Sequence, residues 1–190
     1  SEEGKDISFD KRKNWDTFWL IDPLDGTKEF IKKNGEFSVN IALINHFKPI
    51  LGIVYAPVLD TTWYGSASEG SFKIIENGNP EKINVLKYHD DETVKVVSSR
   101  SHSNNTKLEE FLTDYPKHEL VFMGSSIKIC LVADGSAHIY PRLGPTMEWD
   151  TAAAHAVVKF AGGNILDMTD RNELAYNKEN LLNPAFLVNN

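Results

Sequence analysis

Two carboxylates stand three residues apart in the run Trp19-Leu20-Ile21-Asp22-Pro23-Leu24-Asp25-Gly26-Thr27. An aromatic and β-branched stretch leads up to Asp22, Pro23 fixes the next φ, and Gly26 permits a backbone twist. Asp22 and Asp25 can therefore project from one tight turn with the Leu24 carbonyl between them. Two carboxylates and one carbonyl are hard oxygen donors, the kind that suits Mg²⁺. Thr27 stands where a helix can begin at Lys28, its hydroxyl close to the same centre. An Asp-Gly after proline is also an everyday turn with a threonine cap, and the segment alone does not choose. Asp150, in Met147-Glu148-Trp149-Asp150-Thr151-Ala152-Ala153-Ala154, falls in the first turn of an Ala-rich helix, where the helix dipole favours an anion as cap or as ligand. Its alanines allow close approach of a ligand or of another backbone. The pair Glu2-Glu3, taken by itself, is a solvated acidic tail.

The elements that must position these residues change character along the chain. Strands are expected at Thr17–Ile21, stopping at Asp22-Pro23, at Ser38–Ile44 and Ile50–Tyr55 around the loop Asn45-His46-Phe47-Lys48, and at Thr61–Gly65 and Gly70–Ile75. Neighbouring strands of this kind predict an antiparallel sheet with one covered face. No helix is expected ahead of the first strand. After residue 90 strand and helix alternate: strands at Val94–Ser98, Leu120–Met123, Ala137–Tyr140, Asn164–Asp167 and Ala185–Val188, and helices at Asn104–Leu112, from Gly124-Ser125-Ser126 to Ala133, and at Trp149–Phe160, closed by Gly162-Gly163. The expected organisation is an antiparallel sheet region at 1–90, carrying most of the acidic candidates, and an α/β region at 91–190 carrying a substrate pocket and Asp150.

Read together, the three acidic segments resemble the inositol monophosphatase-like superfamily. There a Glu-Glu pair precedes a strand ending in Asp-Pro-x-Asp-Gly-Thr, and Trp-Asp at a helix start follows much later, before Ala-Gly-Gly. Here the pieces are Ser1-Glu2-Glu3, Asp22–Thr27 and Trp149–Gly163. The extension through Lys28-Glu29-Phe30-Ile31-Lys32-Lys33-Asn34-Gly35-Glu36-Phe37 looks most like the CysQ branch, the 3′(2′),5′-bisphosphate nucleotidases. The resemblance implies a layered α+β sandwich and two or three Mg²⁺ ions held by Glu2, Asp22, the Leu24 carbonyl, Asp25 and Asp150. It implies that Thr27 holds or helps deprotonate the attacking water. A substrate pocket would comprise Gly26, Thr27, Ser99, His102, Ser125, Lys128 and Asp150, from the segments Ser99-Arg100-Ser101-His102 and Gly124-Ser125-Ser126-Ile127-Lys128. Asp25 acts as ligand in this picture, although Asp-x-Asp turns are nucleophiles in other phosphatases. Family members begin with a helical segment whose Asp partners the motif threonine. No residue of this chain takes that place, so the sandwich is expected without its N-terminal helical segment and with one sheet face uncovered.

The expected reaction is hydrolysis of the 3′-phosphate of 3′-phosphoadenosine 5′-phosphate to AMP and phosphate. The rivals are an inositol or sugar phosphate substrate, and a catalytically silent chain that only binds metal or nucleotide. Composition bears on partners. The 190 residues carry 20 Lys and Arg against 27 Asp and Glu, a formal net charge of −7, with no basic stripe of the kind nucleic acid requires. A single cysteine, Cys130, excludes an internal disulfide. No apolar run approaches the ~20 residues of a membrane helix, and the start reads as no signal peptide. A cytoplasmic protein is expected, with the resemblance adding peripheral attachment at the inner membrane as in some bacterial relatives, and a homodimer.

Overall fold

The computed structural model describes residues 4, 7–89, 91–100 and 106–190. The candidates Glu2 and His102, and the acidic neighbour Glu3, lie outside the described residues. A short helix α1 (Phe9–Arg12) precedes β1 (Thr17–Asp25), contrary to the expectation of no helix there. Four residues are too few to show a helical period, and Arg12 is buried for its polar contacts instead of lying on an apolar stripe. After α2 (Thr27–Lys32) come β2 (Ser38–Asn45), β3 (Lys48–Ala56), β4 (Thr61–Ser66), β5 (Gly70–Ile75) and β6 (Glu81–Ile83). With β1 they form a six-stranded antiparallel sheet in sequence order. The β2–β3 turn is as short as the sequence suggests, with His46 and Phe47 both at positive φ.

Along β2 buried and half-buried residues alternate strictly, so the sheet has an inner and an outer face. On the inner face lie α4 (Ile127–Ala133) and α5 (Glu148–Phe160), packed against Leu20, Ala42, Ile44, Val54 and Trp63 in one core. Gly52 explains how close α5 comes. A Cβ there would sit 2.1 Å from the Ala153 carbonyl oxygen and 2.8 Å from the Ala156 Cβ. The alanines of α5 thus serve helix-on-sheet packing. The outer face carries Trp19, Ile53 and Tyr55, which are 55%, 37% and 37% exposed.

The second part of the chain wraps the far side of α5. Val94–Ser98 (β7) and His118–Phe122 (β8) pair in parallel around α3 (Thr106–Leu112). Tyr140–Arg142 (β9) joins Asn164–Asp167 (β11) and Phe186–Asn189 (β13) in a three-stranded antiparallel sheet. The strand expected at Ala137–Tyr140 is displaced towards Arg142, because Ile139 makes only an isolated bridge to Val96. Thr146–Met147 (β10), immediately ahead of α5, pairs with Leu182–Asn183 (β12). Among the described residues no helix is long and apolar enough to cross a membrane.

Candidate active site

The acidic turn is built by a bulge. In a regular strand, residues three apart point to opposite faces. Between Asp22, opposite Asn40, and Asp25, opposite Ser38, β1 contains one residue more than β2. The extra residue turns both carboxylates to the same side. The strand therefore does not stop at Asp22-Pro23, as its sequence suggested, but continues through the bulge to Asp25. Pro23, which has no N–H to donate, sits in the interrupted part of the ladder. The Asp22 carboxylate accepts the Leu24 N–H at 3.0 Å, which fixes the turn and orients the Leu24 carbonyl. That carbonyl accepts the Thr27 hydroxyl at 3.5 Å. Gly26 follows at φ 90°, and any Cβ there would press on Ser125 and on the Glu36 carbonyl.

Asp150 arrives from the other side of the core. It is the third residue of α5, and its Oδ2 accepts the Met147 N–H at 2.8 Å in a capping arrangement. Carboxylate oxygens of Asp22, Asp25 and Asp150 lie within 4.8 Å of one another. Like charges 4 Å apart repel by about 4 kcal/mol at an effective dielectric near 20, so three such groups call for a cation. The donor set fits one: three carboxylates at the closed end of a cleft, with a backbone carbonyl nearby, are hard oxygen donors for a hard divalent ion.

The remaining candidates are held around this centre by hydroxyl contacts. Ser38 Oγ lies 2.9 Å from Ser126 Oγ and 3.2 Å from Ser125 Oγ. The Ser126 N–H donates to Asp25, and Ser126 Oγ donates to Asn40 Oδ1 at 2.8 Å. Protein packed around the Asp25 carboxyl desolvates it and raises its pKa, a shift opposed by Lys128 and by the Ser126 N–H. Lys128 is itself buried, donates to the Ser125 carbonyl at 2.6 Å, and sits 5.7 Å from the centre of the Tyr140 ring. Desolvation brings its pKa down to about 8, while Asp25 pulls the other way.

A cleft of about 270 Å³ opens over the acidic floor. It brings together the sequence candidates Asp25, Gly26, Thr27, Ser99, Ser125, Lys128 and Asp150. Asp22, 1% exposed, lies beneath it. Tyr140 and Arg142, which sequence reading missed, are among the other residues that face the cleft. The Arg142 guanidinium is aimed by the carbonyls of Gly144 and Pro145, at 3.2 and 3.0 Å. The available signal was a lone arginine between Pro141 and Gly144-Pro145, just ahead of Asp150. The cleft thus has the acidic cluster at one end and the cations Lys28, Lys128 and Arg142 along its lining, with Glu29 beside Lys28. That polarity suits an anion bound through divalent ions.

Comparison with known proteins agrees with this reading of the fold. The model of the inositol monophosphatase family matches residues 1–189. The chain is 51% identical over 178 residues to the 3′(2′),5′-bisphosphate nucleotidase CysQ of Escherichia coli strain K12, covering 93% of this chain and 70% of that protein. It is 39% identical to the CysQ of Haemophilus influenzae, covering 99% and 70%. Among solved structures, CysQ from Bacteroides thetaiotaomicron superposes with a TM-score of 0.89 at 41% identity, covering 99% of this chain and 74% of that one.

Proposed function

Because the chain belongs to the inositol monophosphatase family, we propose that its cleft hydrolyses the 3′-phosphate of 3′-phosphoadenosine 5′-phosphate, giving AMP and phosphate. The observation that carries this reading is the convergence of Asp22, Asp25 and Asp150 beneath a wall bearing Lys128 and Arg142. Asp22, Asp25, Asp150 and the Leu24 carbonyl would hold Mg²⁺, two or three ions with Glu2 added. Mg²⁺ there supplies positive charge against phosphate oxygens and makes a neighbouring water more acidic.

The chain's own groups do the rest. Asp25 is a ligand, its carboxylate engaged by Ser126 and Ser38 and turned to the acidic centre. The Thr27 hydroxyl, placed by the Leu24 carbonyl, orients the attacking water by accepting a hydrogen bond from it. Direct attack by that water needs no phospho-enzyme. Lys128 and Arg142 bind the substrate's phosphate oxygens, Arg142 through a planar fork suited to them. Ser99 and Ser125 offer hydroxyls at the rim, and His102 belongs to the same segment as Ser99. The nucleotide is preferred over inositol phosphate because the 39–51% identical relatives are bisphosphate nucleotidases. A cytoplasmic setting is part of the proposal, supported by the single cysteine, Cys130, which has no partner for a disulfide within the chain.

Phosphate release from 3′-phosphoadenosine 5′-phosphate and from inositol 1-phosphate, titrated with Mg²⁺, tests the reading. Preference for the nucleotide, and loss of phosphate release in Asp25→Asn, are expected. Preference for inositol phosphate overturns the substrate assignment, and undiminished release by Asp25→Asn overturns the role of Asp25.

A further inference from the structure

Asp22 and Asp25 ride on β1 and Asp150 rides on α5, so the spacing of the three acids depends on how those elements are tied together. A buried polar network ties them. Arg12, the last residue of α1 and 8% exposed, lies just ahead of β1. Its guanidinium donates to the Lys178 carbonyl at 2.6 Å, the Glu179 carbonyl at 2.9 Å and Asn177 Oδ1 at 3.0 Å. Asn177 answers with a bond from Nδ2 to the Arg12 carbonyl at 2.7 Å. The same loop then holds the start of α5. The N–H groups of Asn177 and Lys178 donate to the two oxygens of Glu148 at 2.7 and 2.9 Å, and Lys178 Nζ reaches Oε1 at 2.7 Å. Asn183 donates to the carbonyl of Met147 at 2.8 Å, and the N–H of that same residue donates to Asp150 Oδ2.

Burying a guanidinium and a carboxylate is costly, and apolar residues of similar volume often give as much stability or more. What such a network provides that apolar packing does not is directional geometry, and here it ends two residues from Asp150. We propose that Arg12, Asn177 and Glu148 are positioning residues that hold the Asp150 carboxylate in place against Asp22 and Asp25. The inference rests on reading the acids as a divalent-cation site and assumes nothing about substrate. Arg12 fixes the loop to the root of β1, the loop fixes Glu148, and Glu148 fixes the first turn of α5. Three acids that repel one another thereby keep their spacing before any cation arrives.

Arg12→Lys keeps the charge but loses the fork, and Asn177→Ala removes a neutral group. Neither changes the net charge near the acids, so altered metal affinity reports geometry. Calorimetry with Mn²⁺ alone is expected to show affinity reduced about tenfold or more in each variant. Val94→Ala, in a separate apolar cluster, lowers Tm but leaves Mn²⁺ affinity unchanged. The Mg²⁺ requirement for phosphate release rises in parallel, with KM at saturating Mg²⁺ within twofold of the parent. Folded variants that bind Mn²⁺ within twofold of the parent overturn the proposal, and Asn177→Ala decides alone if Arg12→Lys does not fold. A parent chain that takes up no Mn²⁺ overturns it together with the reading beneath it. Failure to turn over the nucleotide, with the Mn²⁺ differences intact, counts against the substrate assignment alone and supports the positioning role.

Discussion

At the scale of single residues, the cleft separates tasks that kinetics can separate too. Lys128 is buried and lines the cleft, so if the cleft takes the proposed substrate Lys128→Met should cost binding more than turnover. Losing one partner of a buried charge contact costs about 2–5 kcal/mol, which predicts a KM raised at least tenfold in steady-state assays. The Thr27 hydroxyl makes only a long 3.5 Å contact with the Leu24 carbonyl, so Thr27→Val should lower kcat by about 10²-fold with a much smaller effect on Mn²⁺ affinity. An unchanged kcat would remove Thr27 from the mechanism. The grouping of Asp22, Asp25, Asp150 and Lys128 at one place was legible in the sequence because their motifs are local runs with family-specific spacing. Arg142, Arg12 and Glu148 were not. What they do depends on partners contributed by other parts of the chain, as when Arg12 meets Asn177, and no local pattern announces such a meeting.

At the scale of elements, the site stands on a bulge and on one helix pressed against a sheet. The Ala-rich pattern of α5 and its glycine stop were readable from sequence, as was the run of antiparallel strands. Pro23 masked the continuation of β1, since a proline reads as a strand end when the register of β2 is unknown. The contact of α5 with Gly52 makes a sharp prediction. Gly52→Ala puts a methyl group against the Ala153 backbone, where no flexible side chain can give way. Overpacking of this kind costs about 3 kcal/mol, measurable by denaturant unfolding. It should also weaken Mn²⁺ binding, because the shift is applied to the helix that carries Asp150. Wild-type stability in Gly52→Ala would contradict the close packing described.

For the whole molecule, a charged cluster joins α5, β3 and the segment after β11. His155 is fully buried, its Nε2 3.1 Å from Glu173 and its Nδ1 2.8 Å from the Tyr176 hydroxyl, while Lys48 and Lys159 also pair with Glu173. The His155 hydrogen bond holds the Glu173 pKa below the ordinary 4.5, and burial holds His155 below 6.5. Below pH 6.5 the unfolded chain protonates its histidine while the folded chain resists, and below 4.5 it protonates the glutamate likewise. Both shifts remove stability as pH falls, so Tm should decline progressively from pH 7 to pH 4. A flat Tm would contradict the cluster's assigned ionisation. The outer sheet face, with Trp19, Ile53 and Tyr55 exposed, should bind a hydrophobic dye, and Ile53→Thr should reduce that binding. The proposed reaction depends on the acidic centre of Asp22, Asp25 and Asp150, and a crystal soaked in Mn²⁺ addresses it most directly. The account predicts anomalous density among the carboxylates of Asp22, Asp25 and Asp150, lost in Asp150→Asn. Density elsewhere, with none between those three, would contradict it.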